Sequence, residues 1–246
     1  MTNILVTNDD GIAAPALDVL KESLSSIGEV TIVAPNAPKS AAGNSLTLHK
    51  PVRVAEIAER KYSVSGTPAD CVRVGVLTLM DDRVDLVVSG INDGANLGDD
   101  VSYSGTVAAA REASLLGIPS IASSLVNEGN GWFDTAAGIT ARVAREILRN
   151  GIPERTLLNL NIPDMPDVAS VRICRLGIRV YERKVRERVD PAGRKYYWII
   201  GEKIDGVAEE GTDFKAIRDG CASLTPLGLD HTDIEFAREL VNWNLN

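Results

Sequence analysis

The sequence is poor in the residues that carry several common chemistries. Of its 246 residues only three are cysteine (Cys71, Cys174 and Cys221), far apart and in an odd number. No CxxC pair exists, so a zinc knuckle and a disulfide framework are excluded, and free thiols in a reducing cytoplasm are expected. With His49 and His231 as the only histidines, chemistry that needs several imidazoles is excluded. No apolar run approaches the roughly 18–20 residues of a membrane span, so no membrane partner is expected. Met1-Thr2-Asn3-Ile4-Leu5 places no basic segment ahead of an apolar one, so no secretory signal is expected there. Positive charge is also short. The 26 Lys+Arg against 34 Asp+Glu leave a net charge of −8, the wrong sign for a protein that tracks long nucleic acid. No internal repeat or low-complexity tract is found.

What remains is the balance of a globular chain, 44% hydrophobic and 24% charged. Its first two thirds alternate strand and helix signals. Ile4-Leu5-Val6-Thr7 is a β-branched run ending in the turn residues Asn8-Asp9-Asp10-Gly11. Pro15 suits a first helical turn, Leu17, Leu20, Leu24 and Ile27 recur at helical spacing, and Gly28 ends the helix. Further strands are read at Val30–Ala34, Val84–Ser89, Ile118–Ala122 and Leu157–Ile162. Helices are read from Thr67-Pro68, over Ala108–Leu116 and over Thr135–Leu148. Leu46–Lys50, around His49, alternates like a strand, which favours a structural role for His49. Repeated βα units predict a doubly wound, mainly parallel α/β sheet of Rossmann-like type, its strands buried on both faces.

After Pro163 the texture changes. The reading is a catalytic core over 1–163 and a C-terminal region over 164–246, together forming one domain. In the second part Tyr181–Ile200 predicts a long hairpin around the turn Asp190-Pro191-Ala192-Gly193, with the aromatic run Tyr196-Tyr197-Trp198. A two-stranded hairpin is marginal alone, so it is expected to pack on a partner subunit; the plainer alternative folds it back on its own domain. Thr232–Val241 is read as a terminal helix.

Ligands of doubly wound sheets bind beyond the carboxyl ends of the strands, which directs attention to three loops. Adjacent anions, as at Asp9-Asp10, repel unless a cation neutralises them. Hard oxygen ligands of this kind suit Mg²⁺, Mn²⁺ or Ca²⁺, although an Asx turn with a helix N-cap accounts for the same residues. In Ser89–Gly98 the amides of Asn92 and Asn96 offer oxygen to a metal or N–H to a phosphate, and an inert surface loop is the alternative. Ser104-Gly105-Thr106 leads into a helix whose free N–H groups favour an anion; simple N-capping by Ser104 explains the hydroxyl equally well. The loop Lys39–Ser45 adds hydroxyls.

These pieces together resemble the SurE family, the survival-protein E nucleotidases. The resemblance runs through Ile4–Gly11, Val33-Ala34-Pro35, Ser40–Ser45, Gly66–Val72, Asp85–Gly98, Tyr103–Ala108 and Gly117–Ala122, with later echoes at Leu158–Pro163 and Asp213–Ala216. Residues 56–65 and 127–134 match no motif of the family. The resemblance implies a metal-dependent hydrolase that releases phosphate from nucleoside 5′-monophosphates, with 3′-nucleotides and short polyphosphate as further substrates. It implies one divalent cation per subunit, Mg²⁺ or Mn²⁺, on Asp9, Asp10, Ser40 and Asn92, with Asp9 and Asp10 also catalytic. Asn96, Ser104, Gly105 and Thr106 would line the phosphate side, and a homodimer or homotetramer would use the hairpin. Two other readings stand beside it. A phosphatase forming an aspartyl phosphate needs Asp-x-Asp spacing and a later lysine, whereas these carboxylates are adjacent. A nucleotide-binding stress protein without turnover would use the same loops.

Overall fold

A computed structural model describes residues 2–180, 185–199 and 205–244. The chain opens with β1 (Asn3–Thr7), α1 (Ala16–Leu24) and β2 (Glu29–Pro35). A hairpin follows, β3 (Val54–Ala58) and β4 (Lys61–Val64), and leads to α2 (Pro68–Val74), which continues as a wider turn of helix over Gly75–Leu79. Next come β5 (Leu86–Asp93), a tight helical turn at Gly98–Ser102, α3 (Gly105–Leu115), β6 (Ser120–Val126), α4 (Phe133–Asn150) and β7 (Thr156–Pro163). The remainder holds β8 (Val171–Ile173), β9 (Arg179–Val180), β10 (Val185–Val189), β11 (Lys195–Ile199) and β12 (Asp205–Gly206). It ends with α5 (Asp213–Arg218), β13 (Ala222–Gly228) and α6 (Ile234–Leu240).

Nine strands form one sheet in the order β3-β4-β2-β1-β5-β6-β7-β13-β8. The run from β4 to β7 is parallel, as the βα alternation requires, while β13 returns antiparallel to β7. β8 and β13 follow Pro163 yet extend the same sheet. Alternate side chains of β1 enter different cores. Ile4 and Val6 join Leu17, Leu20, Ile121 and Ile147 on the α1/α4 face, and Leu5 joins Val33, Val72, Val87 and Ala109 on the α2/α3 face. Burial on both faces is why these strands read as unbroken β-branched runs, each enclosed large side chain contributing about 1.5–3 kcal/mol. In α2 a reciprocal cap fixes the start: Asp70 N–H donates to the Thr67 hydroxyl at 3.1 Å, and Thr67 N–H to the Asp70 carboxylate at 2.8 Å.

The structure departs from the sequence reading in three places. Leu46–Lys50 is not a strand; it is irregular chain with His49 exposed, tied down by Thr47 N–H to the Asp70 carboxylate at 2.9 Å. The β3–β4 hairpin was not expected, because its turn holds Arg60 at φ 55° where a glycine or asparagine would have signalled it. Strand β5 runs on to Asp93, so Gly90–Asp93, read as loop, are paired chain with a bulge between Ser89 and Asn92. At the bulge, Gly90 sits at φ 137° so close to β6 that a Cβ would lie 2.2 Å from the Ser123 carbonyl oxygen.

The predicted hairpin forms: β10 pairs antiparallel with β11 from Val185↔Ile199 to Val189↔Lys195. Its tip is closed by the Asp190 carboxylate, which accepts the N–H groups of Ala192 and Arg194 at 2.9 Å each. Tyr181–Lys184 and Ile200, the ends of that prediction, lie outside the described residues. Among the described residues the hairpin is a two-stranded sheet of its own, with Val185, Val189, Tyr197, Trp198 and Ile199 exposed. All three cysteines are free and buried, and burial pushes the Cys71 thiol well above its ordinary range, so it stays protonated. Among the described residues no helix is long and apolar enough to cross a membrane.

Candidate active site

β1 is flanked by β2 and β5, so the loops leaving these three strands meet at one end of the sheet, where the chain order reverses direction. Asn8, fully buried, closes the first loop twice: its amide donates to the Gly11 carbonyl and its oxygen accepts Gly11 N–H, both at 3.1 Å. Gly11 has φ 96°, and a Cβ there would press on the Ala37–Pro38 backbone at 3.1–3.3 Å. The loop after β2 is stitched to the first by Ile12 N–H to the Pro35 carbonyl at 2.8 Å and Lys39 N–H to the Asp9 carbonyl at 2.7 Å. Ser40 is the next residue along and is exposed. From β5, Asp93 N–H donates to the Asp10 carboxylate at 3.3 Å. Asn92 spends its amide nitrogen on the Gly94 carbonyl at 2.8 Å, leaving its oxygen as the group able to serve a ligand. Asp9, Asp10 and Ser40 thus sit on two loops bonded to each other, and Asn92 stands beside them at the end of β5.

The position of Asp9 is unusual. Its side chain, 5% exposed, lies at the amino end of α3. There it accepts the Thr106 hydroxyl, and the backbone N–H groups of Gly105 and Thr106 favour its charged form. A Cβ on Gly105 would fall 2.8 Å from Asp9 Cβ and 2.9 Å from its Oδ2, so only glycine admits the carboxylate. The helix N-terminus, the anion site anticipated for phosphate, therefore faces the protein's own carboxylate. Ser104 caps α3 by accepting Val107 N–H at 3.1 Å, and its hydroxyl hydrogen stays available to donate.

Asn96 is turned inward. Its amide nitrogen donates to the Ser124 hydroxyl at 2.8 Å, its N–H to Asn161 at 2.8 Å, and its carbonyl accepts the amides of Asn159 and Asn161 at 2.9 and 3.0 Å. Two residues on, Gly98 N–H donates to fully buried Asp213 at 2.8 Å. Sequence reasoning had no role for Asn159, Asn161 or Asp213, and only the resemblance pointed at them. They are far off in sequence, and buried asparagines in a strand carry no local signal.

Burial raises the Asp9 carboxyl, and the bonds from Thr106 and the helix backbone only partly oppose this. Burial and then the charge of Asp9 push Asp10 up to about 6, and Asp93 adds to the repulsion. Among the described residues no lysine or arginine pairs with Asp9 or Asp10. Nor do three or more His, Cys, Asp or Glu side chains gather to hold a metal. A cation here would have two carboxylates and neutral oxygens. That donor set fits a hard divalent ion, and the two raised carboxyls are what such an ion would relieve. A separate cavity of about 390 Å³, lined by Asn3, Glu29, Thr31, Arg60 and Met80, opens at the opposite, amino ends of the strands and has no part in this cluster.

The family model described as Survival protein SurE matches residues 4–183. The 5′-nucleotidase SurE of Pelobacter propionicus is 51% identical over 244 residues, covering 98% of this chain and 99% of that protein. The 5′-nucleotidase SurE of Geobacter sulfurreducens is 49% identical over 247 residues, covering 99% and 94%. The crystal structure of the SurE protein from Aquifex aeolicus superimposes with a TM-score of 0.88 at 41% identity, covering 97% of this chain and 98% of that one.

The carboxylate pair generates a pH-dependent prediction. Asp10 titrates near 6 in the fold against 3.8 when unperturbed, so without a cation its ionisation costs stability as pH rises through that interval. Added Mn²⁺ should raise Tm fully above about pH 7, and the rise should fade as pH falls through 6, where Asp10 is protonated. Asp10→Asn should stabilise the metal-free chain at pH 8 and remove the Mn²⁺ response. Melting curves at pH 5 and pH 8 check this; an equal shift at both pH values contradicts it.

Proposed function

The chain belongs to the SurE family and is a 5′-nucleotidase, and on that premise we propose that Asp9, Asp10, Ser40 and Asn92 hold one divalent cation per subunit, Mg²⁺ or Mn²⁺. The observation that carries the reading is the adjacent pair Asp9-Asp10, raised in pKa and without an ion pair to lysine or arginine among the described residues. When bound, the cation offsets the negative charge of a phosphate monoester and makes a water molecule more acidic.

The chain's own residues do the rest. Thr106, Gly105 and the amino end of α3 hold the Asp9 carboxylate in place. Asp10, tied to Asp93 N–H, holds the second carboxylate beside it, and one of the two orients the attacking water. Ser40 and Asn92 would add oxygen without adding charge, so one divalent cation balances the two carboxylates and the centre does not repel the anionic substrate. Ser104, its acceptor side spent on Val107, turns its hydroxyl hydrogen to a phosphate oxygen, and the amino end of α3 favours the charge that accumulates there. Thr106 and Gly105 serve the phosphate through Asp9. Asn96 serves it by fixing the loop that follows Asn92, through its bonds to Asn161 and Ser124. Phosphate release extends in this reading to 3′-nucleotides and short polyphosphate. The relatives' shared name disfavours the alternative of binding without turnover.

Two further parts of the reading concern setting. Buried free thiols suit a reducing cytoplasm. The exposed aromatic hairpin is the contact of a homodimer or homotetramer, its rim carrying paired charges such as Glu187 with Lys195 at 2.8 Å.

Phosphate release from a panel of nucleoside monophosphates, with Mn²⁺ or Mg²⁺ and with EDTA, tests the function. Turnover should require the cation, and Asp9→Asn should lose several orders of magnitude in kcat while keeping its fold. Near-wild-type turnover in that variant or in EDTA refutes the mechanism.

The roles of the neutral donors separate kinetically. Ser104→Ala should raise KM by the loss of one charged hydrogen bond, about 1.5–3 kcal/mol, and excess metal should not restore it. Asn92→Ala should be rescued by raising the metal concentration. The opposite pattern reverses the assignment.

Deleting residues 182–199 should lower the mass measured by light scattering. An unchanged mass removes the hairpin from the assembly.

A further inference from the structure

Arg111 is the anomaly of the neighbourhood. In a chain with 34 acidic and 26 basic residues, this half-buried guanidinium pairs with no carboxylate among the described residues. Its partner is His231: Arg111 Nη1 lies 2.7 Å from His231 Nε2. A guanidinium only donates, so Nε2 of His231 is the accepting atom of this contact. With no carboxylate opposite it among the described residues, the positive charge of Arg111 is left to face the cavity. Together they line a cavity of about 220 Å³ with Asn44, Ser102, Ser104 and Ala108, no carboxylate among them. That volume is below the roughly 300–1,000 Å³ of pockets that enclose whole ligands. It suits one small anionic group, with amide and hydroxyl donors around it.

The cavity is continuous with the phosphate side of the active site, since Ser104 belongs to both. Ser104, Ala108 and Arg111 share one face of α3, and the axial step from Ser104 to Arg111 is about 10 Å at 1.5 Å per residue. Long helical side chains lean back toward the amino end, so the guanidinium lies nearer Ser104 than that step, a gap suited to one ribose. We propose that Arg111, positioned by His231 and joined by Ser102 and Asn44, forms a distal subsite for a second phosphoryl group. The substrate class it selects is nucleoside 3′,5′-bisphosphates, bound with one phosphate at the reacting centre and the other on Arg111. The assignment rests on the nucleotidase reading for which phosphate reacts, and on the cavity alone for the second anion.

Calorimetric titration of the Mn²⁺-loaded full chain, with the 5′-phosphate of each nucleoside probe replaced by its non-hydrolysable methylenephosphonate so that turnover is stopped, decides it by binding. The probes are adenosine 5′-monophosphate, adenosine 3′,5′-bisphosphate and inorganic tripolyphosphate. The wild type should bind the bisphosphate more tightly than the monophosphate. Arg111→Met should cut that preference about 10- to 100-fold, the worth of one charged hydrogen-bonding contact. Arg111→Lys should keep part of it, and His231→Ala should weaken it less than Arg111→Met. Melting curves confirm that each variant is folded. An unchanged preference in Arg111→Met overturns the subsite, as does a loss confined to tripolyphosphate. A wild type that shows the preference yet releases no phosphate with Mn²⁺ present upholds the subsite and overturns the nucleotidase reading instead.

Discussion

Two carboxylates side by side at the end of a buried strand repel each other, and the surroundings of Asp9 and Asp10 do little to relieve them. Asp9 is nearly enclosed and Asp10 is pushed up to about 6. The compensation the fold does supply is of one kind: donors without formal charge. The Thr106 hydroxyl and the first N–H groups of α3 turn to Asp9, and the Asp93 N–H turns to Asp10. Neutral donors hold the carboxylates in place without cancelling their charge. A lysine or arginine at the same place would cancel it and would compete with any cation for both oxygens. The proposed centre depends on that restraint.

Other features follow from the need to hold this pair still. Gly105 is required because a Cβ would collide with Asp9. The bulge in β5 lets the strand continue to Asp93, so that its N–H reaches Asp10 across β1. Buried Asn96, Asn161 and Asp213 tie down the loop beyond it through backbone groups that would otherwise be orphaned in the interior. One helix terminus thus serves two anions in turn. Its backbone N–H groups face the protein's carboxylate, and in the proposed site Ser104, with Arg111 farther along the same face, is left for the substrate.

Much of this was legible in the chain. The βα alternation is written in the apolar, largely β-branched runs of β1, β2 and β5, separated by helical periods, because strands covered on both faces have no solvent side to mark with polar residues. That the chain leaving β1, β2 and β5 would gather at one end of the sheet was legible from the parallel order, and Asp9-Asp10 stood out there as two adjacent carboxylates at a buried strand's end. The hairpin could be read from the turn at Asp190–Gly193. What was not legible depends on contact across long separations. Thr106 meets Asp9 from 97 residues away, and a threonine after a cap serine carries no mark of that partner. The resemblance put Asn96 on the phosphate side and its type left metal and phosphate both open, while its bonds to Ser124 and Asn161 belong to the tertiary packing. His231, with nothing near it in sequence, acquires meaning only beside Arg111 on another element. The β3–β4 hairpin escaped notice for a local reason, a turn made with Arg60 instead of glycine.

The central claim is that this pair of carboxylates is completed by one divalent ion. Electron paramagnetic resonance of Mn²⁺ titrated into the full chain at pH 8 tests it most directly, because bound and free ion give distinct signals and turnover is not involved. The account predicts one tight site per chain, lost in an Asp9→Asn/Asp10→Asn double variant and retained in Arg111→Met. No bound signal in the wild type, or an unchanged site in the double variant, would contradict it.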